Sequence, residues 1–291
     1  MEIGLFLPIM LEKSLPNLDR IDWERERQTV LESEEYGFES VGVSDHLQMG
    51  EGMNLEHFSV LSSLAEASER IKLVSLVVCV PFRNPALVAK SAATIDVISE
   101  GRFQLGIGAG WYRPEFEAYG YGFEDAEVRV DRLAEAARLI RKVWGEGEVD
   151  FDGEFYHLNG CMCQPKPADP YLIIGGNTKR IQRLAERHAD EWNFYGGYSE
   201  MLERAPESED VRVSWFGPAV VSRDEEYMKK ITNEAYPDRP SRYIKGTPEE
   251  FLEKLEKMED RGVDRVLFRL LDYPQKDSLH ILRDEVIPEI C

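Results

Sequence analysis

Short apolar runs alternate along this chain with amphipathic stretches, and their order predicts the fold. Eight runs have the length and apolar content of β-strands: Glu2–Pro8, Ser40–Ser44, Lys72–Val80, Phe103–Ile107, Tyr171–Ile174, Glu191–Phe194, Val211–Val221 and Arg265–Leu270. Several of these runs are almost continuously apolar, which is typical of parallel strands that are covered on both faces.

Segments with helical spacing lie between the strands: Arg25–Tyr36, Phe58–Arg70, Pro85–Ser99, Ala126–Val143, Thr178–His188, Asp224–Ala235 and Pro248–Arg261. Thr247 and Glu250 have the spacing of a capping box, and Ser222 and Glu225 repeat it. Eight strand-then-helix units favour a (β/α)8 barrel over an open sheet. We therefore predict an α/β fold in which residues 1–291 form a single (β/α)8 TIM barrel domain.

One segment interrupts this alternation. Glu148 to His157 carries Asp152-Gly153 between β-prone flanks, which predicts a hairpin inserted before the fifth strand. The proline-rich stretch 164–170 then predicts a stiff connector and not a domain boundary.

The fourth strand runs directly into a glycine-rich turn, within Gly101 to Trp111. Glycine in a strand costs roughly 0.5–1 kcal/mol relative to alanine. The glycines at 106, 108 and 110 therefore indicate close approach of a ligand or of another backbone segment. A bulge or a tight corner is the alternative interpretation.

Composition narrows the classes of partner. The formal charge of −20 and the lack of a basic stripe argue against a nucleic acid or an acidic membrane surface. No apolar run reaches the roughly 18 residues of a membrane span, and the first residues lack the basic region of a signal peptide. We therefore expect a cytoplasmic protein. A structural metal is not expected, because Cys161 and Cys163 form an isolated C-x-C pair.

In a (β/α)8 barrel, chemistry is expected where the strands end. Asp45 and His46 follow the second strand, where they can act as hydrogen-bond acceptor and acid/base, or only as a helix cap and a surface histidine. Arg83 follows the third strand and can pair with an anion or with a neighbouring loop. Trp111 can cover a flat ligand or pack under its own loop, and Glu115 is expected only to open a short helix.

The fifth strand ends in an anion-binding pattern. Gly175 and Gly176 let backbone N–H groups approach an anion, and Asn177 or Thr178 caps the helix that follows. Basic residues at 179 and 180 occupy a first turn that normally favours carboxylates. This pattern favours a phosphate over a simple capped turn.

Taken together, these motifs resemble the bacterial-luciferase-like oxidoreductases, especially the branch that uses the deazaflavin coenzyme F-420. They run in family order: Ser44-Asp45-His46-Leu47, Asn84-Pro85, Ala89-Lys90, Ala93-Thr94-Ile95-Asp96, Gly101-Arg102-Phe103, Gly110-Trp111, Glu115-Phe116, Gly175-Gly176-Asn177, Ala189-Asp190-Glu191-Trp192-Asn193 and Gly246-Thr247-Pro248. Each motif alone is weak, but the set is specific.

The resemblance implies a barrel, usually dimeric, with a flavin or deazaflavin ring across the strand ends. Asp45 would contact the cofactor, and His46 would lie beside the reacting ring carbon as an acid/base. A non-prolyl cis peptide that backs the ring would lie at Ser75-Leu76. The remaining cofactor contacts would come from Val78, Ala109 and Gly110 beside the ring, and from Gly175, Gly176, Asn177 and Thr178 at its phosphate.

The chain departs from the sugar-phosphate dehydrogenases of this family. Trp111 stands where they carry a glutamate acid, and Gly50 stands where they carry a tryptophan. A glucose-6-phosphate type of activity is therefore not expected.

The resemblance predicts an F-420-dependent oxidoreductase that transfers a hydride between the deazaflavin and a small organic substrate. The alternatives are an FMN-dependent two-component monooxygenase on the same fold and a non-catalytic flavin-binding protein. A barrel enzyme that handles a phosphorylated metabolite without redox chemistry is a further alternative. A homodimer is expected in each of the first two cases.

Overall fold

The structure is a computed structural model that describes residues 1–11, 15, 17–50, 52–204, 211–237, 239 and 242–290. By its internal contacts the chain divides into two compact units. Unit 1 comprises Met1–Gly42, Met49–Asn54 and Asn193–Cys291, and unit 2 comprises Val43–Gln48 and Leu55–Trp192. The expected single domain stays a prediction, and the two units are described separately.

Twelve strands occur in the described residues: β1 (Glu2–Phe6), β2 (Ser40–Val43), β3 (Lys72–Ser75), β4 (Val78–Cys79), β5 (Phe103–Gly108), β6 (Val149–Asp152), β7 (His157–Cys161), β8 (Leu172–Gly175), β9 (Glu191–Tyr195), β10 (Arg212–Val221), β11 (Ile244–Gly246) and β12 (Arg265–Leu270). All eight predicted strands are present, and the third is divided into β3 and β4.

The described residues contain the helices α1 (Trp23–Glu35), α2 (His57–Ala67), α3 (Pro85–Ile98), α4 (Arg113–Ala118), α5 (Ala126–Trp144), α6 (Lys179–His188), α7 (Tyr198–Arg204), α8 (Glu225–Ala235), α9 (Pro248–Glu259), α10 (Asp277–Ile281) and α11 (Ile287–Ile290). The seven predicted helical segments correspond to α1, α2, α3, α5, α6, α8 and α9. A π-helical turn at Leu282–Val286 joins the last two. Helix α2 ends before the predicted Arg70 because Ser68 has an extended backbone, and its hydroxyl donates to Leu64 O.

In unit 1, β12 pairs in parallel with β1 and β10, and β10 pairs with β11 and β9. The first three residues of β2 pair with β1. In unit 2, β5 pairs in parallel with β3, β4 and β8. Parallel strands that alternate with helices in this order form the predicted (β/α)8 barrel.

The predicted hairpin is present as antiparallel strands β6 and β7. The buried carboxylate of Glu135 on α5 anchors its turn, because it accepts hydrogen bonds from the N–H groups of Glu154, Phe155 and Tyr156 at 2.8–2.9 Å. The hairpin is therefore attached to the helix that precedes it.

Two helix starts were predicted from capping signals. The Thr247 box is confirmed, since Thr247 Oγ accepts from Glu250 N and the Glu250 carboxylate accepts from Thr247 N. The predicted role of Ser222 is wrong. Asp224 caps α8 by accepting from Tyr227 N, and Ser222 Oγ accepts from Asp224 N outside the helix.

Within the described part of the chain, none of the helices is long and apolar enough to cross a membrane. The same residues contain no group of three or more His, Cys, Asp or Glu side chains arranged to hold a metal ion.

Candidate active site

The residues predicted to carry chemistry lie in unit 2, at or beyond the carboxyl ends of its strands. Leu76 and Val77 lie between β3 and β4 and belong to neither strand. The peptide bond between them is cis, so the prediction of a cis bond at Ser75-Leu76 is wrong by one residue. The physical reason is the pairing: Ser75 still belongs to β3, Leu76 N still donates to Val43 O, and pairing resumes at Val78 opposite Ile107.

The glycines of β5 and β8 make room for this bulge. A Cβ atom on Gly106 would lie 2.1 Å from Ser75 O, and one on Gly108 would lie 2.6 Å from a methyl group of Val77. A Cβ on Gly175 would lie 2.9 Å from the other Val77 methyl group. The gap inferred from sequence is therefore filled by another part of the chain, and Val77 is partly exposed above three bare backbones.

The residues predicted to line the ring differ in exposure. Val78 is completely buried, whereas Ala109 and Gly110 are partly exposed. Gly110 has a φ of +74°, and a Cβ there would lie 2.7 Å from both Cys79 Sγ and the Phe116 ring. A glycine is therefore required at this turn.

His46 is paired with Glu115, a residue to which sequence reasoning assigned no chemistry. His46 Nδ1 lies 3.0 Å from Glu115 Oε1, and Leu47 N donates to Glu115 Oε2 at 3.0 Å. The Glu115 side chain is 2% exposed and that of His46 is 14% exposed. With Glu115 as the acceptor in this contact, Nδ1 is the donor, and any proton that His46 gives or takes elsewhere would be at Nε2.

Aromatic side chains surround this pair. The rings of Trp111 and Tyr112 stand edge-on to the His46 imidazole at 6.0 and 6.5 Å, and Trp111 is 65% exposed. Tyr119 Oη donates to Leu47 O, which ties α4 to the segment after β2. His46 thus lies beside a wide and mostly exposed aromatic surface.

Asp45 is held by an ion pair inside unit 2. Its carboxylate accepts from Arg83 Nη1 at 2.5 Å and Nη2 at 3.0 Å, and from Cys79 N at 2.9 Å. Arg83 Nη2 also donates to Glu56, the residue that caps α2. Arg83 thus has the internal ion pair that the sequence left open. The predicted contact of Asp45 with the cofactor stays a prediction.

The neighbouring thiol of Cys79 is buried. Burial, reinforced by the Asp45 carboxylate, raises its pKa well above the usual range of a cysteine. A thiol that stays protonated is a poor nucleophile, so its role is packing against Phe82 and Phe116.

The predicted anion site is the N-terminus of α6. Thr178 caps this ten-residue helix by accepting from Ile181 N at 3.3 Å, and its first turn contains no acidic residue. Gly176 has a φ of +149°, and its carbonyl accepts from Trp192 Nε1. Arg180 pairs with Asp131, so the excess of positive charge inferred from sequence is partly neutralised.

Sequence reasoning therefore identified the strand exits and missed two residues. The glycines of β5 and β8 are a signal in the sequence that a side chain from a neighbouring segment of the chain packs against them, and that side chain is Val77. Glu115 lies 69 residues from His46, and no local spacing signals their contact.

Comparison with known proteins agrees with this fold. Residues 1–244 match the family of luciferase-like monooxygenases. The pyrimidine monooxygenase RutA of Rhizobium rhizogenes is 34% identical over 230 residues, which cover 74% of this chain and 62% of RutA. The chain thus spans about three-fifths of the length of the curated relatives that it matches.

Solved structures share the fold at lower identity. An F-420-dependent secondary alcohol dehydrogenase, in complex with an F-420-acetone adduct, superposes with a TM-score of 0.85 at 19% identity. That match covers 100% of this chain and 99% of the dehydrogenase. Riboflavin lyase RcaE, with modified FMN and the substrate riboflavin, superposes with a TM-score of 0.81 at 14% identity, covering 100% of this chain and 91% of the lyase.

The (β/α)8 barrel and the family match over residues 1–244 define an enzyme of the oxidoreductase class. More specifically, the chain belongs to the luciferase-like monooxygenase family.

Proposed function

We propose that this chain is an FMN-dependent monooxygenase that acts on a small organic molecule. The observation that carries the proposal is the 34% identity to proteins named pyrimidine monooxygenase, over about two thirds to three quarters of the chain. A pyrimidine or a similar nitrogen heterocycle is therefore the first substrate class to test. The prediction of F-420 as cofactor gives way to its FMN alternative.

The chain's own residues fit a flavin in two places. Val77, which packs against the bare backbones of Gly106, Gly108 and Gly175, offers a partly exposed apolar surface. Gly176, Asn177 and Thr178 precede a helix whose first turn lacks carboxylates, and such a helix end suits a phosphate. Ala109 and Gly110 would border the ring on the β5 side.

When bound, reduced FMN supplies two electrons to O2, so that one oxygen atom enters the substrate and the other leaves as water. His46 would hold or move a proton at Nε2, with Nδ1 fixed by Glu115. Trp111 and Tyr112 would cover the substrate and exclude water from the His46 side.

Titration of the apoprotein tests the cofactor. We expect oxidised FMN to bind, with quenching of its fluorescence, and coenzyme F-420 to bind more weakly. Turnover is then measured with reduced FMN, uracil and ¹⁸O2, and one labelled oxygen atom in the product supports the proposal. Binding of F-420 without any binding of FMN would overturn it.

The variant His46→Ala separates an enzyme from a flavin-binding protein. We expect turnover to fall by about 100-fold or more, with FMN affinity retained, because a positioned acid/base contributes roughly 10²–10⁴-fold. His157→Ala is the matched control, since His157 is exposed on the hairpin and pairs only locally with Asp152. Equal turnover in both variants would show that His46 has no acid/base role, whereas FMN binding without any turnover in the wild type would favour a non-catalytic carrier.

An F-420-dependent oxidoreductase is the second candidate, and the run Ser44-Asp45-His46 favours it because that run resembles the deazaflavin branch. Reduced F-420 would then be oxidised by a carbonyl or a similar acceptor without O2. Oxidation of F-420 by a substrate under nitrogen would establish this reaction.

We also propose that the protein is a homodimer and that α3 lies in the interface. The exposed residues of this helix are Leu87, Thr94, Val97 and Ile98, none of them charged, in a chain with a net charge of −20. Two strongly acidic copies of the chain repel each other least when they make contact through this uncharged face of α3 on each copy. The expected cytoplasmic location stays a prediction.

Light scattering checks the homodimer. We expect twice the mass of the 33.4 kDa chain for the wild type, and a single chain for the Leu87→Glu/Ile98→Glu variant. Met162→Glu, at an exposed apolar residue outside α3, is the control that should stay dimeric. A monomeric wild type would show that the prediction is wrong.

A further inference from the structure

Ser44 is the first residue after β2, and its hydroxyl group has no hydrogen-bond partner among the described residues although Ser44 is only 7% exposed. Buried hydroxyl groups in folded proteins are nearly always hydrogen-bonded, because an unsatisfied one costs about 1–3 kcal/mol. An unpaired hydroxyl group beside Asp45 and His46 therefore points to a ligand that supplies the missing hydrogen-bond partner.

The backbone of Ser44 is fixed by a buried histidine. His57 Nδ1 lies 3.0 Å from Ser44 O, so Nδ1 must carry a proton, because a carbonyl oxygen only accepts. Burial lowers the pKa of His57, and its Nε2 lies 3.0 Å from Ser75 Oγ. One imidazole thus ties Ser44 to the residue that immediately precedes the Val77 bulge.

The hydroxyl groups of the two serines on this imidazole differ in their partners. Ser75 Oγ lies 3.0 Å from both His57 Nε2 and Gly106 O, so the protein itself satisfies it. His57 contacts Ser44 through the carbonyl oxygen, and the Ser44 hydroxyl group is left without a partner among the described residues. This difference assigns ligand binding to Ser44 and support of the backbone to Ser75.

The same strand provides a matched comparison. Ser40 is the first residue of β2, and Ser44 is the first residue after it. Ser40 Oγ is also buried without a partner, but Ser40 begins the strand and Ser44 follows its end. Ligands of parallel α/β folds bind at the carboxyl ends of strands, so only Ser44 is placed to meet one.

We propose that the Ser44 hydroxyl group hydrogen bonds to the polar edge of the cofactor ring, a proposal that rests on the function proposed above. A ring nitrogen of a flavin accepts a hydrogen bond in the oxidised form and donates one in the reduced form. A serine hydroxyl both donates and accepts and rotates to suit, so it pairs with either form. Ser44 is thus a cofactor-binding residue for a planar heterocycle with carbonyl and ring-nitrogen groups.

The test compares Ser44→Ala with Ser40→Ala in the full chain, titrated with oxidised FMN and with F-420. We expect Ser44→Ala to bind the preferred cofactor about 3- to 10-fold more weakly, as for one lost hydrogen bond, and Ser40→Ala to bind within about 2-fold of wild type. The absorption spectrum of bound FMN should shift in Ser44→Ala alone. Neither variant should lower the melting temperature of the apoprotein, because neither removes a satisfied hydroxyl group.

The outcomes are distinguishable. Equal affinity of wild type and Ser44→Ala for a cofactor that the wild type binds would overturn this inference and leave the proposed function intact. If the wild type binds neither cofactor, the proposed function fails and this inference fails with it. Should Ser44→Ala not fold, Ser44→Cys keeps the size of the side chain with a weaker donor, and an affinity equal to wild type there would also overturn the inference.

Discussion

Glu115 is a buried carboxylate whose hydrogen bonds all go to the segment that follows β2. It accepts from His46 Nδ1, from Leu47 N at 3.0 Å and from Gln48 N at 3.4 Å. The carboxylate therefore fixes both the backbone of this segment and the tautomer of the histidine.

Glu115→Gln should uncouple these two roles. The amide offers one acceptor oxygen and one donor NH2 group, so either His46 or the backbone N–H groups lose their acceptor. We expect kcat to fall by roughly 10- to 100-fold, a part of what a positioned acid/base contributes, with FMN affinity little changed. ¹⁵N NMR of the His46 ring should show the loss of a single tautomer.

Glu117→Gln is the control, because Glu117 is exposed on the same helix and pairs only with Arg113. Should the His46 ring keep one tautomer in Glu115→Gln, the carboxylate has no role in setting it.

Gly106 is the most crowded of the glycines around the bulge. Gly106→Ala would bring a Cβ to 2.1 Å from the backbone oxygen of Ser75, which cannot rotate away. We expect a loss of about 1–3 kcal/mol in the free energy of unfolding, as for overpacked cores. Urea denaturation measures it, and Gly122→Ala, with open space around the new Cβ, should stay within about 0.5 kcal/mol of wild type.

At the scale of the element, the two helix starts in unit 1 allow a direct comparison. Thr247 Oγ accepts from Glu250 N inside α9, whereas Ser222 Oγ accepts from Asp224 N before α8 begins. Thr247→Ala should lower the free energy of unfolding by about 0.5–2 kcal/mol, as is usual for a lost N-cap, and Ser222→Ala should lower it by less. Urea midpoints of the two variants check this order, and a larger loss for Ser222→Ala would contradict it.

The elements were predictable because their signals are local. Strands and helices are encoded by the apolar spacing within each segment, and the Thr247 capping box is complete within four residues. The start of α8 was misassigned because Ser222 and Asp224 are both good caps, and only the backbone shows which of them borders the helix.

The site was predictable only in part. The strand exits place Asp45, His46 and the start of α6 by topology alone. The ion pair of Asp45 with Arg83, the contact of His46 with Glu115 and the bond of His57 to Ser75 join distant segments. Such pairings depend on the packed fold, and a single sequence does not carry them.

At the scale of the whole molecule, stability should depend on pH through Asp272 in unit 1. This carboxyl group lies just after β12 and accepts from Ser278 N at 2.8 Å, while its other oxygen is buried and has no partner in the described part of the chain. Burial raises its pKa to about 6 from a usual value of 3.8. The folded state therefore keeps a proton that the unfolded state releases between these pH values, and stability falls as pH rises through this window.

Asp272→Asn removes this titration. Its stability relative to wild type should improve by about 2 kcal/mol between pH 4.5 and pH 8, where the wild-type carboxylate is ionised and buried. Unfolding by urea at the two pH values measures the change. The NH2 group of the introduced asparagine also needs a hydrogen-bond partner, and this cost is the same at both pH values. The diagnostic quantity is therefore the change in the variant's relative stability between pH 4.5 and pH 8. A difference near zero would show that Asp272 titrates normally.

The fit of Val77 against Gly106, Gly108 and Gly175 also limits how this protein can change. A larger residue at Gly175 becomes tolerable only after Val77 is shortened. In a mutant library, a substitution of Gly175 should therefore be found together with a smaller residue at position 77 and not alone. Val77→Ala/Gly175→Ala is the simplest such pair. Anyone reshaping the candidate site around Val77 for a new substrate would therefore have to vary both positions in the same round of selection.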